Sequence, residues 1–176
     1  MIQITIGLPD FPEMRRTINI AREFISDLDG IWREVVHPWI LEHMGEQFDT
    51  AGAHGGERWS VYENEPKYKA HKLAIVGHLR PLVWDWGGEY ERLRPSLMEK
   101  DHPLQIFETD DWSMRFGTSV EYAESLNAGG TGPFGEPFPG RRIFGMTEGQ
   151  KKELATVIQR AIMQDIPPEL RKFMRR

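Results

Sequence analysis

"LQIFETDDWSMRFGT", residues 104–118, is the stretch on which the reading of the fold turns. Two runs of alternating character flank Asp110-Asp111, and Trp112, Met114 and Phe116 fall on one face of the second run. A period of two is the mark of a strand with one buried side, and two such runs around a short acidic turn predict a β-hairpin. A lone hairpin is marginal in water, so its apolar face needs a cover.

The cover is sought in the helical segments on either side. Downstream, Thr147 and Gln150 have the spacing of a capping box. Leu154, Val157, Ile158, Ala161 and Ile162 follow at i, i+3, i+4, i+7 and i+8, which predicts an amphipathic helix over 147–166. Pro167-Pro168 ends it, and 167–176 is a short basic tail. Upstream, "MIQITIG" alternates Ile2, Ile4 and Ile6 with Gln3 and Thr5, a short strand within an arm of residues 1–10. Asp10 and Glu13 resemble a capping box, with Pro12 in the first turn. From there Ile18, Ile20, Phe24, Ile25, Leu28, Ile31, Trp32, Val35 and Val36 run near helical spacing, so 11–48 reads as one long helix, kinked or broken at Pro38.

Residues 49–146 read as loops around the hairpin. "DTAGAHGGE" (49–57) is rich in Gly and small residues and reads as a mobile loop. "PKYKAHKLAIVGHL" reads as a short helix, and "VWDWGGEYERLRPSLM" as a Gly-Gly break followed by a further helical turn or two. Asn127–Gly140 is dense in Gly and Pro and reads as an extended loop. The expected class is α+β in a single domain, 1–176: a long N-terminal and a C-terminal helix on a small antiparallel sheet.

Composition narrows the chemistry. The 176 residues include no cysteine, which removes disulfides and Cys-based metal sites. With 27 acidic and 22 basic residues the net charge is -5, not the basic footprint of a protein that grips nucleic acid over a broad face. No apolar run approaches the ~20 residues of a membrane span, and the start lacks the form of a signal peptide, so no membrane partner is expected.

Three candidates for chemistry stand beside plainer readings. Glu34-x-x-His37 and Glu99-x-x-His102 match halves of a di-iron carboxylate site, but each His precedes a proline and also suits a helix end. Trp84, Asp85, Trp86, Glu89 and Glu91 suit an aromatic sugar platform with paired carboxylates, or simply tryptophan packing beside solvated acids. In "FPGRRIFGMTE" (138–148), Arg141 and Arg142 precede a helix N-terminus, where anions bind, but a capping box already satisfies those N–H groups, which favours a braced corner. No phosphate-loop, dinucleotide or zincin motif occurs. No catalytic residue, cofactor or metal is expected.

Four segments together carry a resemblance: "RWSVYENEPKYKAHK" (58–72), "PLVWDWGGEYERLRPSL" (81–97), "MRFGTSVEYAESLNAGG" (114–130) and "PFPGRRIFGMTEGQ" (137–150). In this order they resemble the virion-morphogenesis family of tailed bacteriophages, which includes the tail-completion proteins of Mu- and P2-like phages. The likeness runs over roughly 15–165. It rests on Trp59 after the long helix; on Leu93, Ser96 and Leu97; on Gly117, Thr118, Tyr122 and Ala123; and on Pro139, Arg141, Ile143, Phe144 and Gly145. Glu91, Leu126 and Arg142 stand where the family often has Gly, His and Pro, and the Asn127–Phe138 loop is longer than usual.

The resemblance implies a non-enzymatic virion protein of the neck or tail end. It implies a ring homo-oligomer, hexameric, that completes or terminates the tail and joins it to the head, with DNA passing through the lumen in transient, non-specific contact. The implied partners are other copies of the chain, neighbouring neck or head-completion proteins, and the tail tube or tail terminator; assembly would take place in the host cytoplasm. The residues it marks as structural or interfacial are Trp59, Leu93, Ser96, Gly117, Tyr122, Ala123, Gly129, Pro139, Arg141, Phe144 and Gly145. The alternative is a phage-associated, carbohydrate- or cell-wall-active protein using the Trp/Glu cluster 84–91.

Overall fold

The computed structural model describes residues 2–7, 28–59, 66–77, 93–110, 113–131 and 137–165. Trp84, Asp85, Trp86, Glu89, Glu91, Trp112, the Asp10–Glu13 cap, the helix expected over 11–27, the Pro167-Pro168 stop and the basic tail lie outside them. Helices and a small antiparallel sheet make up the chain, the α+β class expected. The elements are β1 (Ile2–Gly7), α1 (Leu28–Ile31), a π-helical turn (Trp32–Val36), α2 (His37–Asp49), a 3-10 turn (Ala53–Gly55), α3 (Pro66–Val76) and α4 (Leu93–Met98). They continue with β2 (Gln105–Thr109), β3 (Ser113–Thr118), α5 (Ala123–Ala128), β4 (Gly129–Thr131), β5 (Pro137–Pro139) and α6 (Glu148–Asp165). Two compact units result: Met1–Gln3 with Leu41–Ile106 and Gly117–Thr147, and Ile4–Ile40 with Phe107–Phe116 and Glu148–Arg176.

The three-stranded sheet has the order β1-β3-β2. β1 buries Ile2 and Ile6 and exposes Gln3 and Thr5, as its alternation predicts. β3 buries Met114, Phe116 and Thr118 while Arg115 stays exposed. Asp110 makes the hairpin turn. Its N–H donates to the Ser113 carbonyl at 2.9 Å, and its carboxylate accepts from the Ser113 N–H and hydroxyl, each at 2.7 Å. A short acidic side chain that folds back on its own turn is what the Asp-Asp signal offers.

In the second unit, α6 lays its stripe against α1 and the π turn. Leu154, Ile158, Ala161 and Ile162 are buried, with Val157 half-buried, and Ile31, Trp32, Val36 and Ile40 are buried in the same unit. His37 stacks on Phe107 with ring centroids 3.9 Å apart. The Arg33 guanidinium lies 5.5 Å from the centroid of that same ring. Asp29 accepts from Arg33 at 2.7 Å and from the Thr109 hydroxyl, and these two bonds hold its carboxyl below the ordinary value. The pair is solvated, so it adds little to stability.

Of the kink or break expected at Pro38, the break does not occur: the helix runs through it. Proline lacks an N–H and crowds the carbonyl four residues back. Here the turn just ahead is widened to π geometry, with the His37 N–H donating to Trp32 O five residues away, and this relieves the crowding. Asn127–Gly140 is not one extended loop either. α5 ends at Ala128, and β4 and β5 pair antiparallel in the register Gly129↔Pro139, Gly130↔Phe138 and Thr131↔Pro137. Strands of three residues are too short to show alternation. Gly129 starts the pairing at φ +86°, and a Cβ there would lie 2.7 Å from the Gly140 nitrogen, so the Gly/Pro composition serves close backbone approach.

Candidate functional site

The residues marked by sequence fall in the first unit, and Trp59 with the segment 141–145 meets the C-terminal end of α2. His43, Glu46 and Gln47 stand at i, i+3 and i+4, so they share one helix face. Beyond Asp49 the chain closes the helix tightly. Ala51 is left-handed at φ +49°, its N–H donates to Phe48 O at 3.2 Å, and the Gly52 N–H reaches back to Gln47 O at 2.8 Å. The Thr50 hydroxyl donates to Glu46 O and accepts the His54 N–H. The stretch 49–57, expected as a mobile loop, is therefore a hydrogen-bonded turn that ends when the Trp59 N–H donates to Ala51 O at 2.7 Å.

Against this turn lies the segment Arg141–Gly145. The Arg142 carbonyl accepts from the Gln47 side-chain amide at 3.1 Å and from the Trp59 indole N–H at 3.2 Å. The other end of Gln47 accepts the Gly55 N–H at 2.6 Å. The Gly145 carbonyl accepts from His43 Nε2 at 2.9 Å. His43 Nδ1 lies 2.9 Å from His54 Nε2, and His54 Nδ1 lies 2.9 Å from the Glu46 carboxylate. A Cβ on Gly55 would sit 2.5 Å from Gly145 O, so the two backbones touch only because residue 55 has no side chain.

Each other marked residue has a place in the same unit. Trp59 is buried and meets Phe48 edge-on, centroids 5.4 Å apart. Leu93 and Ser96 are buried on α4. The Ser96 hydroxyl donates to Leu93 O at 2.8 Å and accepts from the Thr118 hydroxyl at 2.7 Å, while Thr118 accepts the Val120 N–H. Gly117 lies under β1, Ala123 is buried and Tyr122 is exposed. The Arg141 N–H donates to Leu126 O at 2.8 Å, and the Ile143 N–H to Asn127 Oδ1 at 3.1 Å. The Arg141 side chain is buried, Arg142 and Pro139 are exposed, and Phe144 is half-buried. The Arg141 guanidinium is buried and so is not presented to solvent.

Chemically this arrangement is a clamp on backbone. His43 Nε2 commits its proton to a carbonyl, so it does not face a nucleophile as a general base would. Of the di-iron spacings, Glu34 is exposed while His37 is buried on Phe107, and Glu99 is exposed. Among the described residues no group of three or more His, Asp or Glu is placed to hold a metal, and no helix is long and apolar enough to cross a membrane. Sequence reasoning missed His43, Gln47 and His54. The available signal was the i, i+4 pair His43/Gln47 just ahead of a Gly-rich turn carrying a further His.

Glycines in this unit differ in what they carry. Gly117→Ala would set a methyl against the Ile2 carbonyl and 2.6 Å from Gln3 Cα, both of which are main chain and unable to swing aside. We expect a loss of about 1–3 kcal/mol in denaturant unfolding. Gly45→Ala, inside α2, would meet only the flexible end of Met98 at 3.3 Å and gain helix propensity. It is expected to be neutral or stabilising, and equal losses in the two variants would contradict this packing.

No family model matches the chain, and neither a curated protein nor a solved structure shows significant similarity to it.

Proposed function

We propose that the chain is a structural subunit of the neck or tail end of a tailed bacteriophage, working as a hexameric ring that completes or terminates the tail and joins it to the head. The motifs of the virion-morphogenesis family, in family order, suggest this reading. One observation carries it: the separated segments that bear the resemblance hold one another. The Trp59 indole donates to Arg142 O, Ser96 meets Thr118, and Asn127 and Leu126 accept from Ile143 and Arg141. Random likeness over four short segments gives no reason for them to interlock. The departure at Arg142 also fits, because the group used there is a carbonyl, which the family's proline also supplies. The long helix expected from Pro12 belongs to this reading, with its described part beginning at Leu28.

The test is assembly. Mass photometry and negative-stain imaging of the purified chain, alone and with its tail tube protein, should show closed rings or rings capping tubes. A chain that stays monomeric in both and releases reducing sugars from peptidoglycan, an activity lost in Glu89→Gln/Glu91→Gln, would overturn the proposal in favour of a cell-wall enzyme.

A further inference from the structure

The contacts among Glu46, His54, His43 and Gly145 fix a proton count. The Gly145 oxygen can only accept, so His43 Nε2 carries a hydrogen. The Glu46 carboxylate, 2.9 Å away, can only accept, and it pairs with His54 Nδ1 when that nitrogen also carries a hydrogen. Between the rings, His43 Nδ1 and His54 Nε2 at 2.9 Å need one hydrogen between them. Three protons on four ring nitrogens is one more than two neutral imidazoles hold. We propose that His43 and His54 share a single positive charge, balanced by Glu46, and that this charge makes the clamp on residues 141–145 a pH-sensitive latch.

Either change of protonation breaks the chain. Removing the shared proton leaves two hydrogens for three contacts, so one contact faces lone pair to lone pair. Adding another sets N–H against N–H between rings whose centroids are 4.6 Å apart, and places two cations together. The latch is therefore closed only over a window of pH.

The other charged groups on the segments packed here are few. Asp49, on the same helix, is paired with Arg94 at 2.9 Å. Glu42 of α2 and Glu57 and Arg58 after the turn are exposed, as is Arg142; Arg141 is buried. Glu46 lies 2.9 Å from His54 Nδ1. The proposal does not depend on the assembly reading, because it concerns the isolated subunit.

Nitrogen-15 imidazole spectra of the full chain across pH 5–9 test the count directly. The expected spectrum at the window's centre has one imidazolium equivalent over the two rings, with His43 protonated at Nε2. Amide exchange of Ile143–Thr147, corrected for its intrinsic pH dependence, should quicken on the alkaline side by roughly ten- to a hundredfold, the worth of one charge-assisted bond. Glu46→Gln removes the balancing charge from a solvated position, so the fold should survive while the alkaline midpoint of this opening moves to lower pH. Two neutral rings throughout the window, or an opening midpoint that Glu46→Gln leaves in place, would overturn the proposal.

Discussion

Trp59→Ala should unfold at a much lower denaturant concentration than the parent chain, with a loss of about 3–5 kcal/mol, the usual cost of emptying a buried tryptophan site. Three things depend on that ring. It fills the space beside Phe48, its indole N–H donates to Arg142 O, and it closes over the turn at Gly52, where a Cβ would stand 2.6 Å from the indole Cδ1. Trp59→Phe separates them. The apolar body remains and only the N–H is lost. The Arg142 carbonyl still accepts from Gln47, so no acceptor is orphaned. The expected loss is then about 0.5–1.5 kcal/mol. Equal losses in the two variants would mean that the hydrogen bond, not the packing, holds the segment.

Ile158→Ala is the second large effect. Ile158 is fully buried in the single chain, in the stripe that α6 lays on α1 and the π turn. Truncating such a side chain costs about 2–5 kcal/mol. Urea unfolding of a dilute sample, where copies of the chain do not meet, should show the whole loss, while Gln159→Ala on the exposed side should stay within about 0.5 kcal/mol of the parent. An unchanged midpoint for Ile158→Ala would place the stripe at a contact with another copy of the chain. Any self-association at high concentration would then fall instead.

What could be read in advance was what repeats. β1, the hairpin and α6 announce themselves because Ile2/Ile6, Met114/Phe116 and Leu154/Ile158/Ile162 recur at the period of their element. The unread parts have no period. The turn after α2 is made by bonds from Gln47, Thr50 and Trp59 to main chain, and a Gly-rich composition says nothing of those partners. The π turn answers a local problem set by Pro38, which in sequence signals only a break. His43 and Gln47 look like a polar helix face and are buried, because the groups that satisfy them are carbonyls a hundred residues downstream. Trp59, Ser96 and Gly117 were singled out only through the resemblance; what each one touches, respectively Phe48 and Arg142 O, Leu93 O and Thr118, and the main chain of β1, comes from distances alone.

The acceptor for both Trp59 and Gln47 is the main chain of residue 142. Every amino acid offers that carbonyl, so the bond is blind to what evolution writes at the position, and the exposed Arg142 side chain is free to drift. The two donors are not, since few side chains can reach in their place. Coupling of this kind leaves no paired changes between 59 and 142 for a sequence comparison to find. Relatives of this chain would share the donors and diverge at the acceptor, and the join between the two segments would persist while its trace in the alignment faded.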